Sequence, residues 1–309
     1  MLAITYALVS AVLYGVSDFL SGVQSRRRHF LVVAAVAQTF SATCLTALAL
    51  AQGSPPTRQA VVWGLAATVG HVFGTLMLMR GLAAGAMHVA GPLSAVCAAG
   101  LPVLLGVALG ERPTPIALVG IALALPAVWA VAAGEGGGPS GKSGAQTGDG
   151  SGGASLAGSG TGTPTASHDD RAGVRDGLLA GVGFAVYFVA LAHAGAGAGS
   201  WPVAVCQLGS LVAMWAIVLQ QRAHRRPDGG VRAALPAWSV GLTGAFGALT
   251  YFLASRAGGG RLTIVPVVAS LYPAFTVLLA MAVLGERASR TQVVGLLGCA
   301  AAVGLIAAG

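Results

Sequence analysis

Ten apolar stretches of about 18 to 23 residues each, separated by polar or basic breaks, restrict this chain to one environment. An α-helix rises about 1.5 Å per residue, so each stretch is long enough to cross the hydrocarbon core of a bilayer. They occupy residues 3–23, 30–51, 60–79, 87–109, 115–133, 177–194, 201–219, 238–255, 262–284 and 291–308. Only 8% of the 309 residues are charged, against roughly 25% in a soluble domain, so lipid must contact most of the surface. The first stretch starts almost at Met1 without a basic leader and is followed by Arg26, Arg27 and Arg28, the reverse of a cleavable signal peptide's charge order. It is read as a retained helix.

The net charge of +8 does not point to nucleic acid, because the arginines sit in short connections with no aromatic residues interleaved on a basic face. It points to the excess of Lys and Arg that cytoplasmic membrane loops carry. Cys44, Cys97, Cys206 and Cys299 all fall inside apolar runs, without disulfide or metal-ligand spacing, so no cofactor is expected.

A repeat organises the ten runs. Gly110, Glu111 and Arg112 recur as Gly285, Glu286 and Arg287, and at the same spacing Val119 and Gly120 recur as Val294 and Gly295. Upstream, Arg80 corresponds to Arg256 and Pro92 to Pro266. Residues 1–134 form the first five-run unit and 177–309 the second. Residues 135–176 form a linker rich in Gly, Ser and Thr that is expected to be disordered, since it cannot bury enough apolar surface to offset the entropy of ordering it. An odd number of helices per unit inverts the second copy relative to the first. The expected fold is therefore an all-α polytopic membrane protein of about ten transmembrane helices in two inverted five-helix repeats, an architecture typical of secondary transporters.

The residues also carry a resemblance. Tyr14, Gly15, Val16, Ser17, Asp18 and Phe19 in the first run, and Ser270, Leu271, Tyr272, Pro273, Ala274 and Phe275 leading to Leu284, Gly285, Glu286 and Arg287 in the ninth, resemble motifs of the drug/metabolite transporter superfamily, in its EamA-type branch of ten-helix proteins. The resemblance covers both halves and implies export or exchange of a small metabolite or drug across the cell membrane in which the protein is embedded, with no enzymatic activity. An intramembrane enzyme and a channel are the alternatives. The former needs convergent catalytic groups and the latter a repeated filter, and neither pattern is visible in the sequence.

Asp18 is the one acid well inside an apolar run, where a charge costs about 2.5 to 3.5 kcal/mol on insertion scales. Ser10, Tyr14, Ser17 and Ser21 accompany it at helical spacing and make a polar stripe. Two readings stand: a substrate ligand or proton-exchanging carboxylate, or an acid satisfied by neighbouring hydroxyls near the membrane boundary. Thr68, His71 and Thr75 form a second stripe, where His71 serves proton transfer or a hydrogen bond between helices. Gln207 with Ser210, Tyr187, Tyr251, Ser270 and Tyr272 can line a cavity or bind helices together, while Pro92, Pro266 and Pro273 are candidate kinks. Glu111 with Arg112, and Glu286 with Arg287, lie at the ends of runs and are expected to fix loop geometry or snorkel to the interface. Gly70 with Gly74, Gly106 with Gly110, and Gly177 with Gly181 allow close helix packing, within one chain or in a homodimer.

Charge asymmetry sets the expected orientation. With the amino terminus outside, every Lys and Arg except Arg58, Arg112, Arg256 and Arg261 falls on the cytoplasmic side. This runs against the resemblance, which implies cytoplasmic termini. A carboxy-terminal reporter active only in the cytoplasm is expected to stay silent, and activity would overturn the assignment.

Overall fold

A computed structural model describes residues 1–25, 30–83, 87–135, 168–194, 197, 199–222, 236–285 and 288–308. Arg26 to Arg28, most of the linker, Arg225, Arg226, Arg232, Glu286, Arg287 and Gly309 lie outside them. Among the described residues the chain forms eleven helices and no strand. The first repeat holds α1 (Leu2–Ser25), α2 (Phe30–Ala51), α3 (Arg58–Ala83), α4 (Met87–Ala108) and α5 (Pro115–Glu135). The second holds α6 (His168–His193), α7 (Trp201–Arg222), α8 (Trp238–Ala257), α9 (Val265–Ala269), α10 (Tyr272–Leu284) and α11 (Arg290–Ala308).

Local chemistry sets several boundaries. The Thr57 and Thr114 hydroxyls accept the backbone N–H groups of Ala60 and Ala117 at the starts of α3 and α5. Ser289 and Gln292 exchange side chain-to-backbone bonds of 2.8 and 3.2 Å in a capping box ahead of α11. Gly110 and Gly285, the glycines of the repeated Gly-Glu-Arg, both take positive φ (94° and 66°) and end α4 and α10 in left-handed turns.

Two boundaries differ from the sequence reading. Helix α6 starts at His168 rather than at Gly177, so Asp169 and Asp170, assigned above to a disordered linker, are helical; Glu135 likewise belongs to α5. Each added residue extends an existing backbone ladder, and the extended turn is anchored where Asp176, 2% exposed, meets Arg80 at 3.2 Å. The ninth run, read above as continuous, is one span in two pieces. Pro266 occupies the first turn of α9 and Pro273 the first turn of α10, where proline's missing N–H costs no helical bond. By contrast, α4 runs unbroken through Pro92 and Pro102.

Among the described residues, nine of the ten spans are long and apolar enough by composition to cross a membrane; α8 is the tenth. It is less apolar because its glycines and hydroxyls serve contact with other helices. Gly241 meets the backbone of Ala37 in α2, and Gly244 and Gly247 meet Ser17 and Tyr14 in α1.

The main helix pairs join opposite repeats: α1 with α8, α6 with α3, α2 with α7, α5 with α11, α6 with α4, and α1 with α9 and α10. Interchanging the repeats maps this set onto itself, as a pseudo-two-fold requires. The α2–α3, α4–α5, α6–α7 and α8–α9 connections share a face with Met1, the terminal face; the linker leaves from the opposite, linker face. Glycines allow backbone contact between α3 and α6, where a Cβ on Gly183 would lie 2.5 Å from the Gly74 nitrogen and one on Gly70 2.6 Å from the Gly183 carbonyl oxygen. Gly177 and Gly181 meet α4 at Ala90, Ser94 and Cys97 in the same way. These small-residue faces are thus occupied within the chain.

Gly183→Val should force α3 and α6 apart, lowering the melting temperature and the monodisperse fraction in detergent. An unchanged melting temperature would show that this contact is dispensable.

Candidate functional site

The site begins with what α1 touches on either side. Ser10 and Ser17 donate to the backbone carbonyls of Gly247 (2.8 Å) and Val240 (3.1 Å) in α8. Gly15 lies against α10, where an added Cβ would come within 2.6 Å of the Phe275 Cβ and 2.8 Å of the Tyr272 carbonyl oxygen. Tyr14 and Asp18 therefore lie on the α1 face between α8 and α10. At about 100° per residue Asp18 is half a turn away from Val9, which is 41% exposed on the lipid side.

On that inner face burial changes with depth. Ala7 and Ala11, within about 20° of the same line along the helix, are 0% exposed, whereas Asp18 is exposed. The largest core cluster shows the same gradient. Leu45 and Ala49, Leu191 and Ala194, Tyr251 and Phe252, and all of α9 lie in the half nearer the terminal face. In the linker-face half the clusters are lateral, one between α2 and α8 and another among α4, α5, α10 and α11. The space between them is the groove that Asp18 faces. Among the described residues Asp18 has no hydrogen bond or ion pair.

The sealed half is also tied by polar bonds between the repeats. Both Glu111 carboxylate oxygens are used, accepting from the backbone N–H groups of Leu262 (2.7 Å) and Thr263 (3.0 Å) and from the Thr263 hydroxyl (2.7 Å). Gln52 accepts from Ser200, and Trp201 donates to the Ser54 carbonyl at 2.6 Å.

At mid-depth the aromatic residues converge. The Tyr14 and Tyr187 hydroxyls meet at 2.7 Å, joining residues 173 apart in sequence, near the repeat spacing. Tyr272 stands edge-on to Tyr14, with ring centroids 6.4 Å apart, and Tyr187 stacks on His71 at 5.4 Å. Tyr251 is 0% exposed and donates to the Phe188 carbonyl, while Ser270 donates to the Val267 carbonyl. Those two hydroxyls are committed to backbone, which separates them from the residues facing the groove. Pro266 and Pro273 bracket Ser270, and Pro92 lies apart in α4.

Beside this cluster the His71 Nδ1 lies 3.0 Å from the Ser210 hydroxyl, and Thr68 of the same stripe donates to the Cys206 carbonyl. Gln207 accepts from Gln38 at 2.8 Å and donates to Ser41 at 2.6 Å. Gln38 and Ser41 were not among the candidates from sequence. The signal was nonetheless there, since Gln-x-x-Ser occurs once in α2 and again in α7, 169 residues on. A cavity of about 20 Å³, room for one water, lies among Gln38, His71, Thr75 and Ser210.

Tyr14→Phe and Tyr187→Phe should each lower stability by about 1–3 kcal/mol by orphaning the partner hydroxyl. The double variant should lose less than the sum. Additive losses in thermal unfolding would mean that the two hydroxyls do not depend on each other.

Residues 173–308 match the model of the EamA-like transporter family. No curated protein matches the chain. One solved crystal structure superposes over 98% of this chain and 94% of its own with a TM-score of 0.69, and at 16% identity it shows a shared fold. The second half of this membrane-spanning chain is thus similar to the EamA-like transporter family, part of the drug/metabolite transporter superfamily.

Proposed function

We propose that the protein moves a small metabolite or drug across the cell membrane by alternating access, as an exporter or exchanger, with Asp18 in the translocation site exchanging a proton. The family is one of small-molecule transporters. The observation that carries the finer reading is the exposed carboxylate of Asp18, without a partner among the described residues, on a face of α1 that is buried about two to three turns deeper. A lipid-facing acid has no reason to be kept, whereas an acid facing a groove between inverted repeats can bind a solute or a proton in turn.

The arrangement fits a state closed at the terminal face and open at the linker face. By the charge asymmetry of the connections the open side is cytoplasmic. Tyr14, Ser17, Tyr272 and His71 then lie at or beside the floor of the groove, and Gln207 supports His71 through the α2–α7 polar cluster. Transport requires the Glu111 and Gln52 contacts at the terminal face to open as those at the linker face close.

Replacement by Asn keeps the size and hydrogen bonding of Asp18 but removes its titration; replacement by Glu keeps titration and displaces the carboxylate. In proteoliposomes, Asp18→Asn is expected to lose accumulation driven by a pH gradient. Normal insertion with both exchange and its gradient dependence retained would sink the coupling role.

A further inference from the structure

We infer that Arg80 and Arg175 hold the phosphate of an anionic phospholipid at the linker face, with its acyl chains lying along the joint lipid-facing surface of α3 and α6. The site is separate from the groove and does not depend on the transport reading.

The first ground is an excess of guanidinium. Asp176 is buried beside Gly81 of α3, its carboxylate 2% exposed. Arg80 reaches one of its oxygens at 3.2 Å and Arg175 the other at 3.3 Å, each through Nε. One guanidinium fork can engage both oxygens of a carboxylate, so charge balance at Asp176 needs only one of the two. The trio carries a net positive charge. Each guanidinium presents five N–H donors, more than the two carboxylate oxygens can occupy, and the arginine side chains are 58% and 59% exposed. A second anion with several oxygens would use the donors that remain.

The direction of the two side chains selects the anion. Val69, Phe73 and Leu76 are exposed on one stripe of α3, and Arg80 continues it; His71 lies on the opposite side of the helix. On α6 the exposed residues Leu178, Val182 and Val186 form the matching stripe, and Arg175 lies within about 20° of Val182 and Val186 around the helix. Both arginines thus face lipid and turn away from the groove. The helices run antiparallel and touch where Gly70 and Gly74 meet Ala180 and Gly183, which sets Phe73 level with Val182 and Val69 level with Val186. Close contact makes the two stripes one apolar surface, headed by the two arginines.

Depth and side agree with a lipid headgroup. Arg80 stands two residues beyond the apolar span that ends at Leu78, and Arg175 two residues into the one that begins at Gly173. At 1.5 Å per residue each lies about 3 Å from the end of its span, where a phospholipid carries its phosphate. By the charge asymmetry of the connections this is the cytoplasmic leaflet, whose anionic lipids attract basic residues. A zwitterionic headgroup would bring its own cation against the two arginines. A phosphate shared between them would tie α3 of one repeat to α6 of the other.

The test titrates the delipidated full chain in detergent with phosphatidylglycerol, phosphatidylcholine or glycerol 3-phosphate, reading thermal unfolding and lipid adducts by native mass spectrometry. Phosphatidylglycerol is expected to raise the melting temperature by at least about 3 °C and to remain bound as one adduct, with phosphatidylcholine and glycerol 3-phosphate far weaker. Arg175→Gln, which leaves the Arg80–Asp176 pair in place, should weaken phosphatidylglycerol binding about fivefold, and Arg80→Gln with Arg175→Gln at least about twentyfold. Arg58→Gln, at the other end of α3, should bind like the unaltered chain. Should the double variant not fold, Arg175→Glu takes its place, with binding again expected to be lost.

The assignment is overturned if phosphatidylcholine stabilises as well as phosphatidylglycerol, or if the arginine variants keep the lipid that the unaltered chain binds. It is equally overturned if glycerol 3-phosphate alone reproduces the shift at millimolar concentration, which would leave an anion site without acyl contacts. A dimer that carries no lipid would show this face to be covered by a second copy of the chain, and would overturn it too.

Discussion

Close backbone contact between helices of opposite repeats is the constraint on which the rest of the structure depends. Gly183 of α6 fits against Gly70 and Gly74 of α3, and Gly244 and Gly247 of α8 fit against Ser17 and Tyr14 of α1. In a bilayer there is little hydrophobic drive to bring helices together, so contact must come from shape and from hydrogen bonds between spans. Because the major pairings cross between repeats, neither half has a closed core of its own. The groove is a product of this interlocking: α1 is clasped by α8 on one side and α10 on the other, and Tyr14 and Asp18 have only the space between to face.

Most hydroxyls inside the membrane are consumed by that architecture. Ser10, Ser17, Tyr251, Ser255 and Ser270 each donate to a backbone carbonyl. Satisfying a donor in this way makes it unavailable to a ligand, and it is the physical test that sorts glue from site. Asp18 passes that test, lacking a partner among the described residues, and the Tyr14–Tyr187 pair is intermediate, since each hydroxyl can still accept a further bond.

The membrane class and ten spans were legible because a hydrophobic run of bilayer length has few other physical meanings, and the repeat was legible because Gly-Glu-Arg marks the same left-handed turn twice. The polar stripe on α1 was also visible as spacing. Its division into hydroxyls that bond α8 and a carboxylate that faces the groove was not, since that depends on where α8 and α10 lie. The break at Ser270 and Leu271 was hidden because both flanking segments are apolar, and proline alone does not say whether it bends a helix or begins one. The start of α6 was misplaced for the opposite reason: its first turns are polar, so hydropathy assigned them to the linker. The Gln38 and Ser41 partners of Gln207 escaped notice because a two-residue repeat carries little weight until the helices are seen to touch.

The crossing of the repeats also fixes an order of events during biogenesis. Ser10 finds its acceptor on Gly247, 237 residues further along the chain, and Ser17 finds Val240 after 223. At about 5–20 residues per second, the ribosome takes on the order of 10–50 s to make up that distance. Throughout this interval α1 must reside in the bilayer without its partner, its polar face and Asp18 met by lipid, translocation machinery or stray water. Insertion and assembly are therefore separated in time, and the early spans must be individually persistent long before any of them is packed.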